Sequence, residues 1–352
     1  MKKTISRIIL SALILSLTLS LLSCRGDKKE QVRGRTISYT YFNTASSLTV
    51  VGDIEDATFE AYIDESKKLL GYYHRLFDIY FDYSGMNNLR TVNRKAGKEP
   101  VEVDAELIDF LEYCKELYTL TGGKTNVMMG AVLQIWHNHR EDAEYDPTAA
   151  SVPAMEELLE ADKHTSIDSL VIDREAGTVY ITDPEASIDV GAIGKGYATE
   201  RLYERLKAMG ADSVALNIGG NIRTLGLKPG GEGWETGITN PDKTSADFAT
   251  IISLGRTACV TSGDYERYYV VDGTRYHHII DPDTLMPAAY FSAVTVITED
   301  SGLADALSTA LFCVDYDRGI EMLGKIDARV DVIWITRDGR LIKTDGIVEI
   351  GG

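Results

Sequence analysis

From residue 168 onward the chain falls into short runs that read as strands: "SLVID", "TVYITD", "SVALNI", "ATIISL", "RYYVVDG", "YHHIID", "SAVTVIT" and "RVDVIWITRDGRLIKT". Each is brief, rich in β-branched and aromatic residues, and bounded by turn formers. Asp-Gly pairs at 272/273 and 338/339 mark two hairpins. The earlier part of the chain has a different period. Residues 56–77 and 105–120 repeat at helical spacing, most plainly through Leu107, Phe110, Leu111, Cys114, Leu117 and Tyr118, and Gly122-Gly123 ends the second helix. Further helices are expected at about 192–209 and 302–324. Helices first, then antiparallel strands with occasional helices, predict an α+β fold with antiparallel or mixed sheets flanked by helices, not a regular βαβ array. No repeat or low-complexity segment is present.

The N-terminus reads as a targeting segment. Lys2, Lys3 and Arg7 precede the apolar run "IILSALILSLTLSLL", and Leu-Leu-Ser-Cys ends at Cys24 in the manner of a bacterial lipobox. The expected organisation is a signal peptide over 1–23, a lipidated Cys24 with a polar tether over 24–36, and a catalytic domain over 37–352. That places the body outside the cytoplasm, on the extracytoplasmic face of the cell membrane; an uncleaved anchor is the alternative. No other apolar run approaches the ~20 residues a membrane span requires. Loss of the leader's three cations takes the formal charge from −18 to −21. So acidic a body argues against nucleic acid as a partner and favours a cation requirement or simple solubility. Cys114, Cys259 and Cys313 are widely spaced among apolar neighbours and read as buried thiols.

Four stretches could carry chemistry. "SIDVGAIGKGYATERL", residues 187–202, runs from strand through glycines into a helix. It lacks the P-loop and dinucleotide-fold spacings. It is either a phosphate cradle at a helix N-terminus helped by Lys195, or a tight turn with a surface lysine. In "GLADALSTALF", residues 302–312, Leu303, Ala306, Leu307 and Ala310 share one helix face while Asp305, Ser308 and Thr309 share the other. Those are hard oxygens of the kind magnesium or calcium takes, or else a solvated polar face. His277 and His278 adjoin on a strand, so their rings point to opposite faces and at most one serves a given site. A neutral imidazole there could take a proton from an attacking hydroxyl, or be structural. Gly219-Gly220-Asn221 suggests backbone lying close to a ligand or to another strand, and Trp234 is core or a stacking platform.

Taken in order, "IDVGAIGKGYA", "LNIGGNI", "TSGDYERY", "HHIIDP" and "ADALSTAL" resemble the FAD:protein FMN transferases, the ApbE-type flavin transferases, from about Tyr39 to the C-terminus. The resemblance implies magnesium-assisted transfer of FMN from FAD to a Thr or Ser hydroxyl of an extracytoplasmic acceptor, an FMN-binding-type domain of an electron-transport system, with release of AMP. It implies metal ligation by Asp305, Thr309, Ser308 and the Ala192 carbonyl, and FAD contacts from Asp189, Lys195, Phe42, Asn43, Thr44, Tyr80, Gly219, Gly220, His278 and Ile279. Lys124, Thr125 and Asn126 fall in the family's FAD-contact run, but where many members read Phe-Asp-Pro-Thr this chain has Thr125-Asn126-Val127-Met128. His278 is the implied base, with His277 as second choice, and Asp305 is the other implied catalytic residue. An FAD pyrophosphatase giving FMN and AMP, and a non-catalytic FAD-binding lipoprotein, are the alternatives.

Overall fold

The computed structural model describes residues 34–350 apart from 243 and 245; the leader, Cys24 and the tether up to residue 33 lie outside them. The elements run β1 (Gly34–Tyr41), β2 (Thr44–Val51), α1 (Asp56–Leu76), α2 (Leu89–Arg94), β3 (Val101–Glu102), α3 (Ala105–Leu120), α4 (Gly130–Tyr145) and α5 (Met155–Asp162). They continue with β4 (Leu170–Asp173), β5 (Thr178–Ile181), α6 (Gly194–Ala208), β6 (Val214–Ile218), β7 (Asn221–Leu225), β8 (Trp234–Thr239), β9 (Phe248–Leu254) and β10 (Ala258–Gly263). The last are β11 (Tyr268–Val271), β12 (Thr274–His277), β13 (Phe291–Thr298), α7 (Ser301–Phe312), α8 (Tyr316–Leu323), β14 (Asp331–Thr336) and β15 (Leu341–Lys343).

Eight strands form one sheet in the order β1-β2-β6-β7-β10-β13-β14-β15, and every neighbouring pair is antiparallel. Its central strands are buried on both faces. Val260, Val294, Val296 and Trp334 pack with Leu307 and Leu311 of α7. Their alternate neighbours Cys259, Ala293, Ile333 and Ile335 pack with Trp234, Ile238 and Ile252 of the β8–β9 hairpin. Period-two alternation therefore separates two apolar sets, and the sheet is a middle layer. The α+β expectation holds. Trp234 is core, its indole N–H donating to the Gly226 carbonyl at 3.1 Å, and the three described cysteines are buried free thiols. Among the described residues no helix is long and apolar enough to cross a membrane.

The structure departs from the expectations in four places. The helix expected over 302–324 is two, α7 and α8, because the Asp315 side chain caps a new start by accepting from the Arg318 N–H. The polar face of α7 is not solvated: α7 lies between the sheet and α6, so Asp305 and Ser308 are buried along with the apolar side. Strand β1 begins at Gly34, inside the stretch assigned to the tether. The β1–β2 hairpin and helices α4 and α5 carry no expectation from sequence at all.

Candidate active site

The site is built at the seam where α6 crosses α7. Helix α6 begins at Gly194, directly after the turn that carries Asp189 and Gly191. A Cβ on Gly196 would stand 2.3 Å from the Ser301 carbonyl oxygen and 2.5 Å from the Asp305 Cβ, so only glycine allows this approach. The closeness lets the Gly196 N–H donate to Asp305 Oδ2 at 2.8 Å, while the Lys195 ammonium lies 3.6 Å from the same oxygen. A second lock holds the helices one turn away. Glu200 of α6 accepts two bonds from Arg223 of β7, at 2.9 and 3.1 Å, and another from the Ser301 N–H at 2.7 Å.

Of the oxygens expected to bind a metal, those of Asp305, Ser308 and Thr309 lie on adjoining turns of α7 at this seam. Burial pushes the Asp305 carboxyl above its usual range, and Lys195 and the Gly196 N–H only partly offset this. Ser262 of β10 bridges the next turn of α7, its hydroxyl 2.9 Å from Ser308 Oγ and 3.4 Å from Thr309 Oγ1. The Ala192 carbonyl accepts no hydrogen bond from the turn that follows it, among the described residues. Among the described residues no group of three His, Cys, Asp or Glu side chains is placed to hold a metal ion by itself. This donor set is one carboxylate with hydroxyls and a carbonyl. It suits a hard cation such as magnesium, which takes few protein ligands and completes its shell with water and phosphate oxygens.

Asp189 is placed by a residue that sequence reasoning missed. The Asn93 amide clamps Ile188 both ways, donating to its carbonyl at 2.9 Å and accepting from its N–H at 2.8 Å. The Asp189 N–H then donates to Val127 O at 2.8 Å, and its carboxylate accepts from the Gly191 N–H at 2.8 Å. Burial raises the Asp189 carboxyl, with His137, Arg267 and Arg140 opposing. Asp189 and Tyr80 line one cavity of about 190 Å³, walled on the far side by Leu133, Gln134 and His137 of α4. The Tyr80 and His137 rings are 5.6 Å apart.

The two histidines separate cleanly. His277 is buried with both ring nitrogens used: Nε2 lies 2.9 Å from the Ala288 carbonyl, and Nδ1 accepts from the Ile279 N–H at 3.2 Å. A carbonyl can only accept, so Nε2 carries the proton and no lone pair remains for chemistry. His278 points to the other face of the β11–β12 hairpin, towards α4. Its Nδ1 sits 3.3 Å from the Arg267 carbonyl, which by the same argument fixes the proton on Nδ1 and leaves the Nε2 lone pair free. Burial first, then the nearby Arg267, pushes its pKa down to about 3, so the ring is neutral near pH 7.

The remaining predicted residues divide. Phe42 and Asn43 form the β1–β2 turn with φ of +53° and +54°, and the Phe42 N–H donates to His74 Nδ1 at 3.3 Å. Gly219 and Gly220 form the β6–β7 turn, with Gly219 seated so closely on Thr44 that a Cβ would lie 2.3 Å from its methyl. Because β2 pairs with β6, both tips stand at the same end of the sheet. Ile279 is buried against the α7 side of the core. Lys124 is held by Asp281 at 2.6 Å and Asp283 at 2.8 Å; Thr125 donates to Ala306 O at 2.9 Å; Asn126 donates to Thr165 O at 2.9 Å. These three are engaged with protein partners, Thr125 directly against the turn of α7 that carries Asp305.

A family model described as the ApbE family matches residues 42–334. The chain belongs to the ApbE family of flavin transferases. An FAD:protein FMN transferase of Treponema pallidum is 34% identical over 277 residues, 74% of each chain. One of Haemophilus influenzae is 28% identical over 353 residues, 98% of this chain and 96% of the other. Among solved structures, the ApbE protein of Thermotoga maritima superposes with a TM-score of 0.76 at 28% identity, covering 89% of this chain and 97% of its own. The flavin transferase ApbE of Vibrio cholerae gives 0.74 at 27%, covering 89% and 98%. The resemblance carried by the five ordered motifs is thus shown for the family and for its fold.

Proposed function

We propose that this chain transfers FMN from FAD to a Thr or Ser hydroxyl of an acceptor protein and releases AMP, with a divalent cation, magnesium by its donor set, held by Asp305, Ser308, Thr309 and the Ala192 carbonyl. The observation that carries this reading is the pairing of a buried carboxylate and hydroxyls at the α6–α7 seam with a histidine whose Nε2 is the only uncommitted ring nitrogen of the adjacent pair. When bound, the cation would supply charge neutralisation on the diphosphate. The chain's own residues do the rest. The glycine turn and Lys195 bring backbone and ammonium up to the phosphates, and His278 Nε2 takes the acceptor's proton. Asp189 and Tyr80 face the cavity that holds part of the dinucleotide.

The acceptor in this reading is an extracytoplasmic electron-transport protein with an FMN-binding-type domain. The enzyme is tethered by lipid at Cys24 to the outer face of the membrane that it shares with the acceptor. Incubating the full chain with FAD, magnesium and candidate acceptors, and reading intact mass, tests the reaction: the acceptor gains one FMN and AMP appears in equal amount. FMN and AMP without an adduct would make the chain an FAD pyrophosphatase instead. FAD binding with no turnover would make it a store.

A further inference from the structure

Three cations lie near His278, Lys195, Arg140 and Arg267, and the last two lie near Asp189 as well. Two are already committed. Lys195 sits beside Asp305 at 3.6 Å and the Gly191 carbonyl at 3.4 Å. Arg140 donates to His137 Nδ1 at 2.7 Å and lies 3.6 Å from a Glu144 oxygen. Arg267 differs: its side chain is exposed and its guanidinium has neither an ion pair nor a hydrogen bond among the described residues. In so acidic a chain, most other arginines of the domain have found a carboxylate.

The position of Arg267 is set by strand register. Tyr268 pairs with His277 across the hairpin, and the His278 N–H continues the ladder by donating to the Arg267 carbonyl at 3.0 Å. Residues directly opposite on antiparallel strands point to the same face, so Arg267 and His278 emerge side by side. The carbonyl of Arg267 also orients the His278 ring through Nδ1. One residue therefore aims the base with its backbone and leaves a five-donor fork beside it.

We propose that Arg267 binds the non-bridging oxygens of the phosphoryl group that is attacked, and is a further catalytic residue of this site. The assignment rests on the transferase reading. In the step it serves, the acceptor hydroxyl oxygen attacks the FMN-side phosphorus of FAD and its proton passes to His278 Nε2. The bond from that phosphorus to the bridging oxygen breaks, and AMP leaves with the electron pair. The fork holds the group that is in flight, and lies next to the base that starts it.

The test compares wild type, R267Q and R267K in the full chain, by flavin fluorescence quenching with FAD and with riboflavin and by the rate of FMN transfer. Riboflavin has the same ring system and no phosphate. R267Q is expected to weaken FAD binding roughly tenfold to a hundredfold and to slow transfer further, leaving riboflavin binding unchanged, with R267K in between. Equal loss for both ligands, or FAD binding and transfer by R267Q at the wild-type level, would overturn the assignment alone. A wild-type chain that neither binds FAD nor transfers FMN would overturn the transferase reading, and this assignment with it.

Discussion

The α6–α7 seam keeps its polar groups under cover, whereas the β11–β12 hairpin leaves Arg267 exposed and the neighbouring His278 half-buried. At the seam, Asp305 and Ser308 are buried among protein donors and acceptors, and the fit of two helices depends on a missing side chain at Gly196. On the hairpin, two adjacent histidines share a backbone but not a role, since His277 spends both nitrogens on the fold and His278 spends one. The difference teaches where each kind of chemistry has to sit. A metal-binding carboxylate gains from a dry, rigid frame that leaves it wanting a cation, while a base has to meet a hydroxyl brought from outside.

The sharpest way to break this comparison is to exchange the histidines' fates. His278→Ala is expected to lower the transfer rate by about 10²–10⁴-fold with thermal stability near wild type, as read by stopped assays and a melting curve. His277→Ala should do the reverse, costing about 2–3 kcal/mol of stability in a urea titration, because the Ala288 carbonyl and the Ile279 N–H lose their partner in the core. Loss of transfer with either substitution alone, at equal stability, would erase the distinction.

Gly196→Ala attacks the seam itself. The added methyl must push the Ser301 backbone and Asp305 apart, which costs about 1–3 kcal/mol and roughly a hundredfold in activity through misplacement of Asp305. A melting temperature and a transfer rate both unchanged would show that the helices are free to separate.

Asp305→Asn separates function from stability. Burial holds this carboxyl above its ordinary value, so its negative charge opposes folding at neutral pH, and the folded state gains as pH falls towards the raised value. Asparagine keeps an oxygen for the Gly196 N–H without the charge. In metal-free buffer the variant is expected to melt a few degrees above wild type at neutral pH while losing transfer activity; a lower melting temperature contradicts the account.

The smallest effect is in pH dependence. His278 is pushed down to about 3 from its ordinary 6.5, so below pH 6.5 the unfolded chain takes up a proton that the folded chain refuses, and stability falls as pH drops from 6.5 towards 3. For the same reason kcat/KM for FAD should show no loss from protonation of this histidine between pH 6 and 8, whereas an unperturbed imidazole would give a limb near 6.5.

Much of this was legible in the sequence, and for a physical reason. Asp305, Ser308 and Thr309 lie within four residues on one helix, so helical geometry alone places them together, and the strand period alone turns His277 and His278 apart. What periodicity could not show was burial on both sides of α7, since the cover comes from α6 and β10, distant in the chain. The Asn93 clamp on Ile188 and the Glu200–Arg223 lock were invisible for the same cause, each joining segments separated by many residues. The β1–β2 hairpin was missed because its turn uses Phe42 and Asn43 at positive φ where a glycine would have signalled it. Helix α4 was missed because its polar side, Gln134, His137, Asn138 and Glu141, masks the few buried positions at Val132 and Trp136.

The most direct test is a titration of Mn²⁺, followed by its electron paramagnetic resonance signal, into the full chain in the presence of FAD. The account predicts one bound ion per wild-type chain, displaced by magnesium, and at least a tenfold weaker site in Asp305→Asn. Equal affinity in the two proteins would mean that the carboxylate at the seam holds no metal.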